Sequence, residues 1–383
     1  MLYPIQFAIA VGILFIIQLC YYGMLYFRIY NRNRQVKGES GSFSAEQPPL
    51  SVIVLARNGE QQLRRNLISI LEQDYPDFDV VVVNDGNEDD SDIYLKRLSA
   101  EYPHLHYSFL PQTSRNISHK KLALMLGIRA GKHDWVVVTE ADCRPVGNQW
   151  LKLLARNFTP DTEIVLGYCG YESQKGWRHK LIAYHTLFNA MRYLGLALAR
   201  FPYMGIGNNL AYRKELFFRG KGFSEYLYLQ RGDDDLFVNS NATRRNTRVE
   251  TAQEAVVHKE PIDSAKTWRE DRVSYMETSR LYKGMQRYLL GCETLTRLLF
   301  YVATVACIVM SIIAAEWWVL GGAVLVYILR FLLQIAAVNL TAKSLGEAHR
   351  YYLSLPILDL IQAMQSMRWK LIRMVRNERE FMR

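Results

Sequence analysis

The sequence predicts an α/β domain built on a mostly parallel, Rossmann-like sheet, with transmembrane helices at both ends of the chain. Between residues 50 and 290, short apolar runs of strand length alternate with amphipathic helical segments, a pattern typical of a parallel sheet covered by helices on both faces. One apolar run near the start and two more after residue 294 are each long enough to cross a bilayer. Acidic residues follow the predicted strands, at the edge where such sheets bind ligands.

The composition is typical of a chain that is partly soluble and partly embedded in a membrane. Its 383 residues are 50% hydrophobic, enough for one sizeable domain and additional apolar segments. The net charge of +10 is concentrated beside apolar runs, at residues 28–37 and 368–383, which favours anionic lipid headgroups over nucleic acid. The five cysteines are scattered, without the spacing of a zinc site or a disulfide framework, and favour a reducing compartment.

The first apolar run, residues 5–27, predicts a transmembrane anchor within residues 1–30. A cleaved signal peptide is the alternative, but the basic residues follow the run and no small-residue cleavage site comes after it. The positive charges after the run predict that the next stretch lies in the cytoplasm. We expect residues 31–49 to be a linker and residues 50–290 to form a cytoplasmic domain.

Strands and helices alternate along this predicted domain. It opens with a continuous apolar run, residues 51–55, that suits a strand buried on both faces. An amphipathic helix follows, with its apolar residues on one stripe. The remaining predicted elements are a strand at 80–83, a turn at 85–87, a helix from about 92, a helix at 120–130, a strand at 135–139, a helix at 150–158 and a strand at 164–167.

Residues 291–342 are predicted to form a transmembrane hairpin of two helices. The paired Trp317 and Trp318 suit a turn at the membrane interface. Arg297 before the turn and Lys343 after the hairpin fall on the same predicted side as the charges that follow the first span. The sequence therefore predicts a multi-pass protein of the inner (cytoplasmic) membrane whose α/β domain lies in the cytoplasm.

Three further features near the membrane segments leave alternatives open. Residues 343–383 are predicted to be an interfacial amphipathic and basic tail, whose helix Pro356 would either kink or start. Arg330, inside the third apolar run, could either contact a pyrophosphate or a helix carbonyl, or be a snorkelling or interhelical arginine. The apolar stripe of residues 181–198 is typical of either a core helix or a membrane-proximal acceptor helix.

Acidic residues close two of the predicted strands. Asp85 could accept hydrogen bonds from a base or a ribose, or it could simply cap a turn. Glu140 and Asp142 flank Ala141, and strand alternation places both carboxylates on the same side. Two such oxygens suit Mg²⁺ or Mn²⁺, which takes its remaining ligands from water and phosphate. An isolated pair of acids is also common on protein surfaces.

A third acidic motif, residues 232–236, is predicted to follow another strand. Its adjacent carboxylates Asp233, Asp234 and Asp235 repel one another, which tends to raise the pKa of at least one of them unless cations or helix amides compensate, and a raised pKa suits a general base. The alternative is an acidic first turn that complements a helix dipole without any chemistry.

Basic residues provide two further candidate contacts. Lys120 and Lys121 head a helix whose positive end could receive a diphosphate, although exposed lysines are also ordinary there. Trp268 and Arg272 combine an aromatic face with charge, a combination used for sugar stacking or phosphate contact and also found on any amphipathic helix near a membrane.

Together these motifs resemble those of the membrane-bound family 2 glycosyltransferases, which have a GT-A fold. The similar stretches, in order, are SVIVLARNGE at 51–60, VNDG at 83–86, TEADCRP at 139–145 and GDDDL at 232–236. The resemblance covers about residues 50–290. It implies an inverting transfer from a nucleotide-diphosphate sugar to a lipid-linked or envelope glycan acceptor, assisted by Mg²⁺ or Mn²⁺.

The resemblance also implies roles for individual residues. The donor-binding residues would be Ala56, Arg57, Asn58, Glu60, Asp85, Lys121 and Glu140. Asp142 would bind the metal, and Asp234, or as second choice Asp233, would be the catalytic base. The acceptor-side residues would be Gly207, Asn208, Trp268 and Arg272.

Three other functions compete with this interpretation. A nucleotidyltransferase would carry a Gly-rich basic loop after the first strand, which residues 57–59 offer only faintly. A processive polysaccharide synthase subunit would be expected to carry a Gln-x-x-Arg-Trp signature and enough helices for a channel. A non-catalytic membrane adaptor derived from a transferase would not need to retain Asp142 and Asp234.

Overall fold

A computed structural model describes residues 2–36, 43–86, 89–110 and 117–377. The strands within these ranges are β1 (Leu50–Ala56), β2 (Phe78–Asn84), β3 (Leu105–Phe109), β4 (Trp135–Glu140), β5 (Cys143–Pro145), β6 (Ile164–Leu166), β7 (Cys169–Tyr171), β8 (Leu210–Arg213), β9 (Thr247–Val249) and β10 (Val257–Lys259). The α-helices there are α1 (Leu2–Tyr21), α2 (Arg28–Val36), α3 (Glu60–Leu71), α4 (Ser91–Glu101), α5 (His119–Ala130), α6 (Trp150–Ala155), α7 (Trp177–Leu198), α8 (Lys214–Arg219), α9 (Asp235–Asn241), α10 (Ala265–Arg280), α11 (Gln286–Ile313), α12 (Trp317–Ser344) and α13 (Leu355–Val375).

A seven-stranded sheet forms the centre of the described α/β region, in the order β3-β2-β1-β4-β8-β6-β9. The pairs β2/β3, β1/β2, β1/β4 and β6/β9 are parallel, while β8 runs antiparallel to both of its neighbours. The sheet is therefore mostly parallel, and the predicted fold class is confirmed. The carboxyl ends of β1, β2 and β4 meet at one edge, where the loops that follow them come together.

Alternating side chains of the central strands supply two hydrophobic layers. Val52 and Val54 of β1 point into a layer covered by α3, α4 and α6, whereas Ile53 and Leu55 point into the layer covered by α5 and α7. All seven residues of β1 are buried, as its continuous apolar run predicts. Most of α7 is buried too, which makes the apolar stripe of residues 181–198 a core helix.

A three-stranded sheet, in the order β5-β10-β7, lies beside the carboxyl edge of the large sheet. β5 follows β4 after only two residues, and its Cys143 pairs in register with Lys259 of β10. This small sheet therefore brings a segment more than one hundred residues further along the chain next to the acidic end of β4.

Three helices in the described ranges are long and apolar enough to cross a membrane, one near the N-terminus and two near the C-terminus. The first spans Pro4–Val36 and includes α1, a π-helical turn at Tyr22–Tyr26, and α2. The helix thus continues through residues 31–36, which we had expected to belong to the linker. α1 packs against α11 and α12, and Leu25 lies so close to α7 that a Cβ on Gly195 would come within 2.7 Å of the Leu25 carbonyl oxygen.

A buried charged cluster joins α13 to these helices. This helix-junction cluster consists of Arg192, Glu293, Arg297, Arg330 and Asp359. Its centre is Asp359 of α13, whose carboxylate lies 2.6 Å from Arg297 and 3.2 Å from Arg330. Arg330 is therefore an interhelical arginine, the second of the two interpretations of this residue.

The C-terminal helix begins where the sequence predicts a break. Pro356 lies in the first turn of α13 and starts the helix rather than kinking it, because a helix needs no amide donor at that position. Trp369 packs against α10, while Ile357, Met364 and Leu371 are exposed. The helix thus has one face on the α/β domain and one apolar face uncovered in the structure.

Two expectations for the sheet were wrong or incomplete. The acidic motif at 232–236 does not follow a strand; it follows an irregular stretch that contains a 3₁₀ turn at Ser224–Tyr226. Strand β3 was not predicted, because it pairs only with β2 at the end of the sheet and most of its residues are only partly buried.

Candidate active site

The loops after β1 and β2 meet at the carboxyl edge of the sheet. The amide of Asp85 donates to the carbonyl of Ala56 at 2.8 Å, which ties the two strand ends together. Asn58 has a left-handed backbone, with φ 44°, and Gly86 approaches it so closely that a Cβ there would lie 2.0 Å from the Asn58 side-chain oxygen. Arg57 is exposed beside them. The predicted donor-binding loop and Asp85 are therefore adjacent.

Asp85 also contacts the start of helix α5. Its carboxylate lies 2.9 Å from Nδ1 of His119, the residue directly before Lys120. Glu60 begins helix α3 at the same edge, where its amide donates to Asp89 at 2.8 Å and its carboxylate pairs with Arg64 at 2.7 Å. In this structure the Glu60 carboxylate thus binds its own helix.

Carboxylates from two distant segments meet around two lysines. The Lys120 ammonium lies 2.8 Å from Glu140 and 2.8 Å from Asp233, so it links the end of β4 to the acidic motif before α9. Lys259 of β10 lies 2.6 Å from Glu140 and 3.3 Å from Asp142. We call these five residues the sheet-edge cluster.

Burial and these lysines shift the pKa values of the carboxylates in opposite directions. Burial by itself would raise the pKa of Glu140, but Lys120 and Lys259 outweigh it and hold that pKa well below its usual range. For Asp233 likewise, Lys120 and Arg231 overcome the effect of burial and lower the pKa. Both carboxylates are therefore ionised near neutral pH.

The three aspartates before α9 differ in what their oxygens bind. Asp234 accepts from the amides of Gly207 at 2.9 Å and Asp235 at 2.7 Å, and from the Tyr275 hydroxyl at 3.0 Å. Asp233 pairs with Lys120 through Oδ2, while its buried Oδ1 has no hydrogen-bond partner among the described residues. One carboxylate is thus fully engaged, and the other has a buried oxygen without a hydrogen-bond partner among the described residues.

Asp235 faces away from this edge, into the protein. Its carboxylate accepts from the hydroxyl of Tyr282 at 2.7 Å and from that of Thr278. Burial and the neighbouring Asp234 raise the pKa of Asp235 to about 7. The expected raised pKa therefore belongs to the third aspartate of the motif.

A metal ion has suitable ligands at the end of β4. One ligand atom from each of Glu140, Asp142 and Cys143 lies within 4.8 Å of the others. The Asp142 side chain is 31% exposed, so its carboxylate is accessible to a ligand in the adjacent cleft. Carboxylate oxygens fit Mg²⁺ or Mn²⁺, and Lys259 already supplies positive charge where such an ion would bind.

The two residues predicted from the stretch before β8 also lie in this site. The Asn208 side-chain amide donates to Glu140 at 2.9 Å, and the Gly207 amide donates to Asp234 as described above. Gly207 thus positions an acidic residue. Arg272 is nearby as well, where it pairs with Asp271 and lies 5.0 Å from the ring centre of Tyr275.

Two predicted site residues are positioned away from the sheet-edge cluster. Lys121 is fully buried, and its ammonium donates to the carbonyls of Tyr226 at 2.5 Å, Leu229 at 2.8 Å and Arg231 at 2.7 Å. Burial lowers the pKa of Lys121 to about 8. Lys121 thus supports the loop before the acidic motif, and its neighbour Lys120 reaches the carboxylates instead.

Trp268 is the second of these residues. It is 6% exposed and packs edge-to-face on Trp369 of α13 and on His185 of α7. Its ring is therefore part of the junction between helices and does not face the cleft. A tryptophan on an amphipathic helix is most simply explained by such packing, because it buries a large apolar area.

Sequence reasoning missed three residues of the site. Lys259 comes from β10, Arg231 directly precedes the acidic motif, and Tyr275 lies on α10. Arg231 and Arg272 each lie 5.0 Å from the ring centre of Tyr275, so the ring that contacts Asp234 is flanked by two guanidinium groups. Of the three, only Arg231 had a local signal, namely its place next to three aspartates.

A mostly parallel sheet with carboxylates gathered at its carboxyl edge is consistent with a GT-A fold. Residues 51–218 match the family model described as glycosyl transferase family 2. The chain therefore carries a family 2 glycosyltransferase domain, and the protein is a glycosyltransferase, as the motifs predicted. A sequence search among curated proteins finds no match.

A solved structure with a TM-score above 0.5 supports the same fold. The chain is similar to the mannosyltransferase PcManGT from Pyrobaculum calidifontis in complex with GDP-Man and Mn²⁺, with 18% identity, a TM-score of 0.53 and coverage of 94% of this chain and 99% of that one. TarS 1-349 from S. aureus in complex with UDP-GlcNAc matches at 15% identity and a TM-score of 0.42, covering 84% and 89% of the two chains.

Proposed function

We propose that this protein is a membrane-bound, inverting glycosyltransferase that moves a sugar from a nucleotide-diphosphate sugar to a lipid-linked or envelope glycan acceptor. The observation that carries the proposal is the meeting of Glu140, Asp142 and Asp233 around Lys120 and Lys259. These residues lie at the carboxyl edge of a mostly parallel sheet, where such folds bind nucleotides.

The donor would bind along this edge. The loop of residues 56–60 and the carboxylate of Asp85 would hold the nucleoside, and Lys120 would lie near the diphosphate in place of Lys121. Asp142, with a contribution from Glu140, would hold Mg²⁺ or Mn²⁺. When bound, such an ion stabilises the negative charge that develops on the departing diphosphate.

Asp233 is the candidate general base that the geometry favours over our first choice, Asp234. Its Oδ1 has no partner among the described residues, whereas both oxygens of Asp234 are engaged. The acceptor oxygen would bond to the anomeric carbon from the side opposite the diphosphate and lose its proton to Asp233. The bond between the anomeric carbon and the phosphate oxygen would break, and its electron pair would leave with the nucleoside diphosphate.

The apolar helices would hold this chemistry at a membrane. α1, α11 and α12 would cross the bilayer, and the positive charges beside them would keep the catalytic domain, residues 50–290, in the cytoplasm. The exposed apolar face of α13 would lie in the interface, with exposed basic residues of this helix, such as Arg368 and Lys370, at the lipid headgroups.

Release of nucleoside diphosphate tests this function. Purified full-length protein is incubated with Mn²⁺ and, in turn, with UDP-linked and GDP-linked sugars. We expect one donor to be hydrolysed slowly, and we expect Asp142→Ala to abolish that release. Asp77→Ala is the matched control, because Asp77 precedes β2 at the opposite edge of the sheet and its side chain is 68% exposed. Release that is absent for every donor, or unchanged in Asp142→Ala, would contradict the proposal.

A further inference from the structure

A cavity lies where the first apolar helix meets the outer edge of the large sheet. Its volume is about 490 Å³, within the range of about 300–1,000 Å³ that ligand pockets usually have. Most of its lining comes from three parts of the chain, namely the first apolar helix, the end of α7, and strand β9. β9 is the last strand of the sheet, separated from β4 by β8 and β6. None of the described residues that line this cavity belongs to the sheet-edge cluster, so it is distinct from the candidate active site.

The charge of this cavity is entirely positive among the described residues that line it. Four arginines line it and no aspartate or glutamate does, and we call it the arginine pocket, after Arg28, Arg32, Arg200 and Arg248. Burial, together with the charges of Arg32 and Arg200, lowers the pKa of Arg248. These three guanidinium groups are thus close enough to repel one another. The pocket is therefore complementary to an anion.

Three of these arginines have no carboxylate partner among the described residues. Arg28 and Arg200 donate to main-chain carbonyls, at 2.6 Å and 3.4 Å, and Arg32 lies over an aromatic ring. Arg156, which does not line the pocket, is instead paired with Glu250 through two hydrogen bonds. The protein thus neutralises an arginine outside the pocket and leaves the charge of three arginines inside it unbalanced.

Helix α2 presents a polar face to the pocket. The four residues of α2 that line the pocket are spaced as i, i+3, i+4 and i+7, which is one face of a helix: Arg28, Asn31, Arg32 and Gln35. Gly23, in the π-helical turn before α2, also lines the pocket. A Cβ on Gly23 would meet nothing within 4 Å, so the helix is open to a ligand at this point.

An apolar stripe leads away from the pocket along the spanning part of the same helix. Gly23, Leu19 and Ile16 are four and three residues apart, so they lie on one face, and the side chains of Leu19 and Ile16 are exposed. In a bilayer this face would meet hydrocarbon, whereas Arg28, directly after the apolar run, would lie at the level of the headgroups. A ligand with an anionic head and hydrocarbon chains fits this order of surfaces, while a free phosphate would use only the head site.

We propose that the arginine pocket binds the headgroup of an anionic phospholipid of the cytoplasmic leaflet, with the phosphodiester at Arg28, Arg32 and Arg200. The acyl chains extend along Leu19 and Ile16. Arginine binds phosphate oxygens through paired, charge-assisted hydrogen bonds, and basic pockets beside spanning helices suit anionic headgroups. A zwitterionic headgroup would bring an ammonium group to a pocket whose described lining offers it no carboxylate.

The bound lipid would hold the first spanning helix against α7 and β9. It would thereby attach the membrane anchor to the outer edge of the catalytic domain's sheet. The inference uses the membrane placement of this helix from the proposed function and none of its chemistry.

Titration calorimetry on the full-length protein in a neutral detergent tests the proposal. Dioctanoyl phosphatidylglycerol is the anionic probe, and dioctanoyl phosphatidylcholine has the same chains with a zwitterionic headgroup. Glycerol 3-phosphate has the phosphate without the chains. We expect the wild type to bind phosphatidylglycerol at least about tenfold more tightly than either of the other two, because each lacks one part of the proposed contact.

Variants locate this preference. Arg32→Gln/Arg200→Gln should abolish the preference for phosphatidylglycerol over phosphatidylcholine, and Arg32→Lys/Arg200→Lys, which keeps the charge, should retain part of it. Arg34→Gln/Arg245→Gln is the matched control, because it removes the same charge from two exposed arginines that do not line the pocket. The control should keep the preference. Without lipid, all of these variants should unfold at the temperature of the wild type and release nucleoside diphosphate at its rate.

Other results would overturn the proposal in distinguishable ways. Equal binding of the two phospholipids by the wild type would exclude an anionic headgroup, and this comparison needs no variant. A preference that survives in the pocket variant, or that the control loses to the same extent, would exclude the pocket. Binding of glycerol 3-phosphate as tight as that of phosphatidylglycerol would replace the lipid with a soluble phosphate. Absence of donor release in the wild type would instead refute the proposed function and leave the lipid result unchanged.

Discussion

Two buried aspartates of this protein are held in opposite ways. Asp359, in the helix-junction cluster, accepts four hydrogen bonds, from Arg297, Tyr184, Tyr301 and Arg330. Asp233, in the sheet-edge cluster, pairs with one lysine and has an oxygen without a partner among the described residues. The same side chain is fully coordinated where it holds helices together and only partly coordinated where a reaction would take place.

The cations of the two clusters also differ, since those around Asp359 hold a fixed geometry and those at the sheet edge can be displaced. Arginines surround Asp359, and their planar forks fix the geometry of each contact. Lysines surround Glu140, Asp142 and Asp233, and a lysine is a point charge on a flexible stem that a metal ion or a diphosphate can displace. The comparison teaches that burial of charge does not by itself distinguish a structural site from a reactive one.

The largest effect should come from Asp233→Asn. The amide cannot take a proton from the acceptor, so transfer should fall on the order of 10²–10⁴-fold, while donor binding and the unfolding temperature stay close to the wild type. Steady-state assays measure the rate of transfer, and a thermal melt measures the unfolding temperature. Asp234→Asn should lose less activity and more stability, because Asp234 holds Gly207 and the start of α9. If Asp234→Asn loses more transfer activity than Asp233→Asn, Asp234 is the base instead.

Asp359→Ala should have the next largest effect, on stability. It would leave Arg330 buried without its carboxylate partner, which typically costs about 3–5 kcal/mol. In detergent, the unfolding temperature of the variant should be clearly lower than that of the wild type. The matched control is Asp263→Ala, because that side chain is 81% exposed and its removal should change little. A variant that unfolds like the wild type would refute the structural role of the helix junction.

Lys120→Met tests whether the lysine at the sheet edge occupies a place that a metal ion can fill. Without its ammonium, Glu140 and Asp233 repel each other, and stability should fall by about 1–3 kcal/mol. Added Mn²⁺ should restore more stability to this variant than it adds to the wild type, because the ion would supply the missing positive charge. Thermal melts with and without Mn²⁺ measure the difference. A response to Mn²⁺ equal to that of the wild type would contradict the metal assignment.

The smallest effect concerns pH. The pKa of Asp235 is raised from 3.8 to about 7, so between these values the folded protein holds a proton that the unfolded chain has released. Stability should therefore fall as pH rises through this window, by at most about 1.4 kcal/mol per pH unit, and level off above pH 7. Asp235→Asn should flatten that slope in unfolding measurements from pH 5 to 8. An unchanged slope would show that Asp235 does not retain its proton on folding.

The parts of the fold that the sequence predicted are those with strong local patterns. β1, β2 and β4 are continuous apolar runs because both of their faces are covered. β3 is only partly buried, and its mixture of polar and apolar residues gives no comparable signal. The antiparallel position of β8 depends on contacts between distant segments, so local periodicity does not reveal it.

The same limit applies to the site. Glu140, Asp142 and Asp233 were found because they lie in short acidic motifs. Lys259 was not found because only the small sheet brings it to the edge. In the structure Lys120 reaches the carboxylates, whereas Lys121, the lysine chosen from the sequence, binds loop carbonyls. The sequence could not separate the two, because successive residues of a helix point about 100° apart and the register was not known.

Donor binding with and without Mn²⁺ tests the central claim most directly. The donor selected in the release assay is titrated by calorimetry into the wild type, Asp142→Ala and Asp233→Asn. The account predicts that the wild type and Asp233→Asn bind the donor only with Mn²⁺ present, and that Asp142→Ala loses at least about tenfold in affinity. Equal binding by all three proteins, with or without Mn²⁺, would contradict it.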